Sequence, residues 1–115
     1  MSESILSSVK KNRGLTDAYE VFDPDIIMLI NTAFSTLCQL GCGPKEGFAI
    51  TGYTETWDDF LEGDVRLNMV KTYVDMRVHL AFDPPTIGAV ISALQEQIKE
   101  LEWRINVAVD PGEPT

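Results

Sequence analysis

The stretch FDPDIIMLINTAFSTLCQLG, residues 22–41, carries the clearest helix signal in this 115-residue chain. Asp23 is predicted to cap the helix, Pro24 is tolerated at the first helical position, and Asp25 places negative charge where the helix dipole favours it. Gly41 supplies a C-terminal stop. The apolar side chains recur at the spacing of one helix face, and they are Ile26, Ile30, Ala33, Phe34, Leu37 and Leu40. The pattern predicts an amphipathic helix packed on a core.

Toward the N-terminus, a shorter helix is predicted from Ser2 to Lys11, with Ser2 as its cap and Gly14 as its end. Toward the C-terminus, glycine and proline interrupt the chain between Cys42 and Thr56. The part near 47–55 is predicted to be a loop or a short β-hairpin, because apolar and small residues alternate there around a glycine.

Two helices are predicted next. Thr56 has the side chain of a cap, and one or two turns after it would carry Trp57 and Phe60. A longer helix is predicted from Asp64 to Ala81, ending before Pro84 and Pro85, which disfavour helix in the residues ahead of them. Its inward face is predicted to hold Leu67, Val70, Tyr73, Val74, Val78 and Ala81.

The last helix is predicted to run from Thr86 to Val107, about 30 Å in length. Its apolar residues form a heptad seam, which fits either the core of a bundle or packing against another molecule, and they are Ile87, Ile91, Leu94, Ile98, Leu101 and Ile105. The whole chain is thus predicted to be mainly α, a small bundle of four to five helices. Residues 1–107 would form one domain, and 108–115 a flexible tail.

The net charge of −9 is unevenly placed. Residues 14–64 contain ten acidic residues against Lys45 alone, whereas residues 1–13 carry a charge of +2. Such a surface repels nucleic acid, whose binding depends on basic groups, and it suits a protein that DNA passes without binding. No apolar run is long enough to cross a bilayer and the N-terminus lacks a signal-peptide cleavage site, so we expect a cytoplasmic protein.

The candidate chemical groups do not form a catalytic or metal-binding pattern. His79 has no nucleophile motif near it in sequence, and Cys38 and Cys42 lack the two further ligands that zinc requires. The two thiols are predicted to serve as small apolar groups. The acidic residues Glu55, Asp58, Asp59, Glu62 and Asp64 lack the pattern of a calcium loop and are interpreted as a solvated face. We therefore predict no enzyme activity, metal or cofactor.

The two tryptophans are candidates for an interface, where this residue is enriched. Trp103 lies off the apolar seam of the last helix, between Glu102 and Arg104. It either contacts a partner or is covered by a second helix within the monomer. The predicted interface residues are Trp57, Phe60, Glu102, Trp103 and Arg104.

Several stretches in their order and spacing resemble the head–tail connector (adaptor) proteins of long-tailed bacteriophages, and the resemblance covers most of residues 5–107. The stretches are Phe22–Ile27, Phe34–Gly41, Gly47–Ile50, Thr56–Phe60, Val70–Val74, Leu80–Pro85 and Glu100–Arg104.

This resemblance implies a virion structural protein at the head–tail junction, made in the host cytoplasm and free of cofactors. It implies a homo-oligomeric ring of about twelve copies under the portal protein, extending the DNA channel and offering a surface to the next joining protein, a stopper or tail protein. The acidic residues Glu55, Asp58, Asp59, Glu62 and Asp64 would then face the channel.

Two other functions stay open at this point. The chain could be a generic helical interaction module or regulator that uses its last helix as a coiled-coil partner, in which case it would form a dimer. It could also be a small hydrolase or metal-dependent enzyme using His79 and the acidic residues of 55–64, in which case replacing His79 and Asp59 would abolish its function.

Overall fold

The computed structural model describes residues 3–62 and 66–109. Five helices follow one another in this part of the chain: α1 Ile5–Asn12, α2 Asp23–Gln39, α3 Trp57–Leu61, α4 Leu67–Phe82 and α5 Gly88–Val109. No strand occurs in these residues, where the one β-type contact is an isolated bridge between Ser4 and Thr56. The mainly α prediction is confirmed, and the hairpin alternative for 47–55 is wrong because that segment is a loop.

The core lies between α2 and α4, which have the most extensive contact of any helix pair, closely followed by α4 and α5. Helix α1 packs against both α2 and α4, and α3 packs against α4. Among the described residues the core is apolar except for Lys10, whose side chain is fully buried. Its largest apolar members are Trp57, Tyr73, Phe34, Ile5, Leu6, Ile26, Ile30 and Leu37.

The start of α1 differs from the prediction. Ser4, not Ser2, caps the helix, accepting a hydrogen bond from the Ser7 backbone N–H at 3.2 Å; Ser2 lies outside the described residues. The backbone at Ile5 is bonded to the loop before α3 instead of to a preceding helical turn, because its N–H donates to the Glu55 carbonyl at 3.0 Å. The helix therefore begins three residues later than its sequence pattern indicates.

The cap of α2 also differs from the prediction. Asp23 is already helical, and the N-cap position is Phe22, which makes no side-chain capping bond. The Asp23 carboxylate instead pairs with Lys10 and accepts a hydrogen bond from Tyr53. At the other end, Leu40 is the C-cap and Gly41 adopts a φ of 87°, so the predicted stop is confirmed.

Helix α3 begins as predicted. Thr56 and Asp59 form a capping box, in which each side chain accepts a hydrogen bond from the backbone N–H of the other residue. Helix α4 begins at Leu67 rather than at Asp64, which is outside the described residues, and it ends at Phe82, just before the proline pair. Of its predicted inward face, Ala81 is exposed: it shares the angular position of Val70, Tyr73, Val74 and Val78 but lies in the last turn of α4, beyond the buried part of that stripe.

The loop between α2 and α3 is fixed by side chains rather than by strand pairing. Asn31 in α2 donates to the Ile50 carbonyl at 3.0 Å and accepts from the Ile50 N–H at 2.7 Å. The Glu55 carboxylate accepts from the backbone N–H groups of Thr51 and Gly52. Because side chains satisfy these backbone groups, a hairpin ladder is not needed here.

Helix α5 has 22 residues and a length of about 33 Å. Ile98 and Ile105 of its seam are buried against the body of the protein, whereas Ile87, at the start of the seam, is 63% exposed. The first ten residues of α5, 88–97, contain no buried side chain. Among the described residues, no helix is both long and apolar enough to span a membrane.

We expect Gly43→Ala to lower the free energy of unfolding by about 3 kcal/mol, because it combines backbone strain with overpacking. Gly43 has a φ of +96°, and a Cβ there would lie 2.4 Å from Cε1 of the buried Phe60 ring. Urea denaturation followed by circular dichroism measures the loss. Gly47→Ala is the matched control, since Gly47 has a φ of +92° and open space around it; its cost should be about 1 kcal/mol. Equal losses would show that the Phe60 contact does not matter.

Candidate interaction interface

A polar cluster on α4 holds the middle of α5. The Tyr73 hydroxyl donates to Glu102 Oε2 at 2.7 Å and accepts from Arg77 Nη1 at 2.6 Å. Arg77 also donates to the Thr36 hydroxyl of α2 at 3.3 Å. Burial and the hydrogen bond to Glu102 raise the pKa of Tyr73 to about 12, so this hydroxyl stays protonated and keeps donating at neutral pH. The cluster thus joins α2, α4 and α5.

A second polar contact fixes the C-terminal end of α5. The Asn106 side chain donates to the Leu40 carbonyl at 3.2 Å, which is one of the backbone groups left open where α2 ends. With Ile105 fully buried beside it in sequence, the last turns of α5 are anchored to the body. The outward face of these turns is therefore presented in a fixed orientation.

That outward face carries Trp103, which is 67% exposed, and Val107, four residues further on and 39% exposed. Arg104 is paired with Glu100 at 2.7 Å within the helix, and both side chains are well exposed. No helix among the described residues covers Trp103, so the prediction that a second helix covers it within the monomer is wrong. An exposed tryptophan on an anchored helix is the feature expected at the centre of a protein interface.

The other predicted interface residues are placed differently. Trp57 and Phe60 are 1% and 3% exposed, and the Trp57 indole N–H donates to the Ser8 hydroxyl at 3.0 Å. Both rings pack around Phe34 in the core, so neither reaches a partner from this conformation. Glu102 is half-buried, and its carboxylate accepts a hydrogen bond from the Tyr73 hydroxyl. The candidate interface is thereby reduced to Trp103 and Arg104 on α5.

Two open grooves flank α5 where it lies on α4. The larger, about 450 Å³, is lined mainly by charged side chains that include Arg77, Lys99 and Glu102. The other, about 270 Å³, has a more apolar lining that includes Met69, Met76 and Leu101. Both are open surface features, and Trp103 lines neither of them, so they do not have the enclosed shape of a small-molecule site.

The predicted acidic face of 55–64 has mixed roles. Glu55 is a structural residue: burial opposes its ionisation, but hydrogen bonds from Thr51 and Gly52 bring its pKa below the usual value. The Asp59 carboxylate accepts from the Thr56 N–H at 2.8 Å. Asp58 and Glu62 are exposed, and Asp64 lies outside the described residues. Within the described chain, no group of acidic, histidine or cysteine side chains could hold a metal ion.

His79 belongs to an ion-pair cluster at the end of α4. Its Nδ1 lies 2.9 Å from Asp83 Oδ1, and Arg13 Nη1 lies 2.8 Å from the same oxygen. Burial raises the pKa of Asp83, but the bonds from His79 and Arg13 outweigh it and lower the pKa below its ordinary value. Cys42 is buried and Cys38 half-buried, and neither forms a disulfide. The ion pairs of Asp83 with Arg13 and His79 connect the end of α1 to the end of α4.

Comparison with known protein families gives a match over most of the chain. A family model described as "Phage connector protein" matches residues 5–112, a range that includes all five helices. No curated protein and no solved structure gives a significant match.

Proposed function

Because the chain belongs to the phage connector protein family, we propose that it is a head–tail connector subunit that forms a ring under the portal protein and receives the next joining protein. The family is structural rather than enzymatic, which agrees with a virion component at the head–tail junction. The observation that supports a contact surface is Trp103, exposed on a helix that two polar contacts anchor. We infer that Trp103 and Arg104 contact a neighbouring subunit or the portal.

The charge distribution supports a channel role. Asp58 and Glu62 project from the short helix α3 and its end, and both are exposed. In a ring, a strip of such carboxylates toward the lumen would repel the phosphates of DNA and let it slide. We propose this orientation for Asp58, Asp59, Glu62 and Asp64, while Glu55 serves the loop. Specific DNA binding is not part of the proposal.

The structure favours a ring contact over a coiled-coil dimer. A dimer through the heptad seam of α5 would need Ile98 and Ile105 on a free surface, but both are buried in the monomer. Trp103 and Val107 lie on the opposite side of α5, where both are exposed. A contact between two unlike faces generates closed rings when the rotation between subunits closes. We further propose that residues 1–107 act as the assembling domain and 108–115 as an appended tail.

Trp103→Ala is the test of this surface. We expect at least a ten-fold loss of incorporation into portal-bound rings, because a buried interface tryptophan commonly contributes about 2 kcal/mol or more. The measurement is complementation of a phage lacking the protein, with the connector content of heads determined by native mass spectrometry and electron microscopy. The isolated monomer should keep its circular dichroism spectrum and solubility.

Met28→Ala is the matched control, since Met28 is also large, apolar and 66% exposed but lies on α2. It should leave ring incorporation unchanged. Normal incorporation of Trp103→Ala would refute the assignment of this surface. A stable dimer without any ring on the portal would instead support the interaction-module alternative.

A further inference from the structure

A second exposed apolar surface lies far along the chain from Trp103, at the start of α2. Tyr19 is 46%, Val21 66% and Phe22 37% exposed. The Phe22 ring packs edge-on against Tyr19, with centroids 5.9 Å apart, and against Phe82 at the end of α4, at 5.3 Å. These four residues, Tyr19, Val21, Phe22 and Phe82, form the aromatic patch. Exposed aromatic clusters of this kind mark interaction surfaces.

Hydrogen bonds from the core fix the backbone of the aromatic patch. Lys10 Nζ, buried in the core, donates to the Tyr19 carbonyl at 2.8 Å and to the Tyr53 hydroxyl at 2.6 Å. Tyr53 donates to Asp23 Oδ2 at 2.8 Å, directly after the patch in sequence. The segment is therefore preorganised although it lies between two helices. A preorganised surface loses little conformational entropy when a partner binds.

The charges around the aromatic patch decide which partner fits. Asp17, Glu20 and Asp25 are exposed, and no basic residue occurs between Gly14 and Asn31. None of the ion pairs found within the described chain involves Glu20 or Asp25. These carboxylates are available to a cationic partner, and they would repel an acidic one.

A second copy of this chain is a poor occupant for the same reason. Each copy carries a net charge of −9, so copies repel one another at an acidic surface. The exposed basic residues of the described chain are Lys11, Lys45, Lys99 and Arg104. Lys99 and Arg104 lie near Trp103 on α5, but the exposed Glu96 and Glu100 on the same helix offset their charge, and Arg104 pairs with Glu100, so no face with net positive charge results. DNA is excluded by its phosphates.

We propose that the aromatic patch and its acidic rim dock a cationic amphipathic segment of another virion protein. Lysine or arginine side chains of that segment pair with Asp17, Glu20 and Asp25, while its apolar side chains cover Tyr19, Val21 and Phe22. This surface is separate from Trp103, so a subunit can occupy both contacts at once. That the segment belongs to a virion protein rests on the proposed connector function, whereas its binding needs only the isolated subunit and no ring.

The test uses a fluorescein-labelled amphipathic helical peptide of about 18 residues, roughly five turns, with lysines on one face and leucines on the other. Its binding to the full chain is followed by fluorescence anisotropy. We expect saturable binding that weakens as salt is added, and no binding of the peptide with glutamate in place of lysine. The double substitution Glu20→Lys and Asp25→Lys should lower the affinity for the lysine peptide by on the order of ten-fold and allow the glutamate peptide to bind.

The matched control is Glu46→Lys with Glu96→Lys, which changes the net charge equally at two exposed positions away from the patch. It should retain most of the affinity, whereas Val21→Ser should weaken binding without altering the circular dichroism spectrum. Equal weakening by both charge reversals would show attraction by net charge alone and overturn the proposal. Self-association of the wild type that Val21→Ser abolishes would also overturn it, in favour of a second copy. Trp103→Ala should not affect peptide binding, so failure of this surface and failure of the connector assignment are distinguishable.

Discussion

Lys10→Met is expected to lower the free energy of unfolding by about 3–5 kcal/mol, the cost of removing one partner from a buried ion pair. The Lys10 side chain is fully buried, and its Nζ lies 2.7 Å from Asp23 Oδ1. Methionine keeps the length of the apolar stem but leaves the Asp23 carboxylate without its counter-ion and the Tyr19 carbonyl without its donor. Since small domains are stable by only about 5–15 kcal/mol, this is a large fraction of the total. Urea denaturation measures the difference.

Lys11→Met is the control, because Lys11 is the next residue on the same helix and is exposed. Its effect should stay within about 0.5 kcal/mol. If Lys10→Met were as stable as Lys11→Met, the buried amine would not be what holds the α1–α2 connection in place.

The pH dependence of the Lys10 effect follows from its pKa. Burial alone lowers that pKa, but hydrogen bonds with Asp23 and Tyr53 outweigh it and raise the pKa above 10.5. A raised lysine pKa stabilises the fold fully below the unfolded pKa and loses this contribution as pH rises through the folded pKa. The gap between wild type and Lys10→Met should therefore stay constant from about pH 6 to about pH 9 and narrow only at higher pH.

Trp57→Ala is expected to lower the free energy of unfolding by about 3–5 kcal/mol, through the cavity it leaves in the core. The Trp57 side chain is 1% exposed. Its ring packs against Phe34 with the two ring centroids 6.2 Å apart, and its indole N–H donates a hydrogen bond to the Ser8 hydroxyl. Its removal also leaves that hydroxyl without its donor. Guanidinium denaturation, followed by circular dichroism, gives the loss.

Trp103→Ala is the control for this effect as well, since the same side chain is removed from the surface. It should change the stability of the monomer by no more than about 0.5 kcal/mol. The fluorescence of the two variants separates the sites: the protein retaining Trp57 should emit at shorter wavelength than the one retaining Trp103. A large stability loss for Trp103→Ala would mean that this ring is covered within the monomer.

The regular elements could be predicted because their signals are local. The Thr56 capping box, the Gly41 stop and the Pro84–Pro85 break each act over a few residues, and the structure has all three. The cap of α2 could not be predicted in the same way. Asp23 has the side chain of a cap, but its actual partners, Lys10 and Tyr53, lie 13 and 30 residues away in the sequence. A lysine is also rarely buried, so nothing in the sequence near Lys10 points to the core.

The candidate interface was predictable only in part, and the two tryptophans show why. Trp103 lies in a long helix with a regular seam, so its angular position already separates it from the packing face of that helix, although not from cover by another helix. Trp57 lies in a helix of five residues, which is too short to define a face. Its burial depends on α1 and α2, through Ser8 and Phe34, and these contacts come from tertiary packing. The aromatic patch had no periodic signal either, because its residues come from a connection and two helix ends.

The burial of Lys10 also decides what chemical labelling can report about virions containing this protein. Amine-reactive cross-linkers act on accessible lysines. Of the five lysines in the chain, Lys10 is fully buried and therefore does not react. The aromatic patch has no lysine of its own, so amine-reactive reagents do not label the patch itself and report a neighbour seated there only through lysines outside it. Carboxyl-directed reagents, which address Asp17, Glu20 and Asp25, are the chemistry that makes this side of the subunit visible.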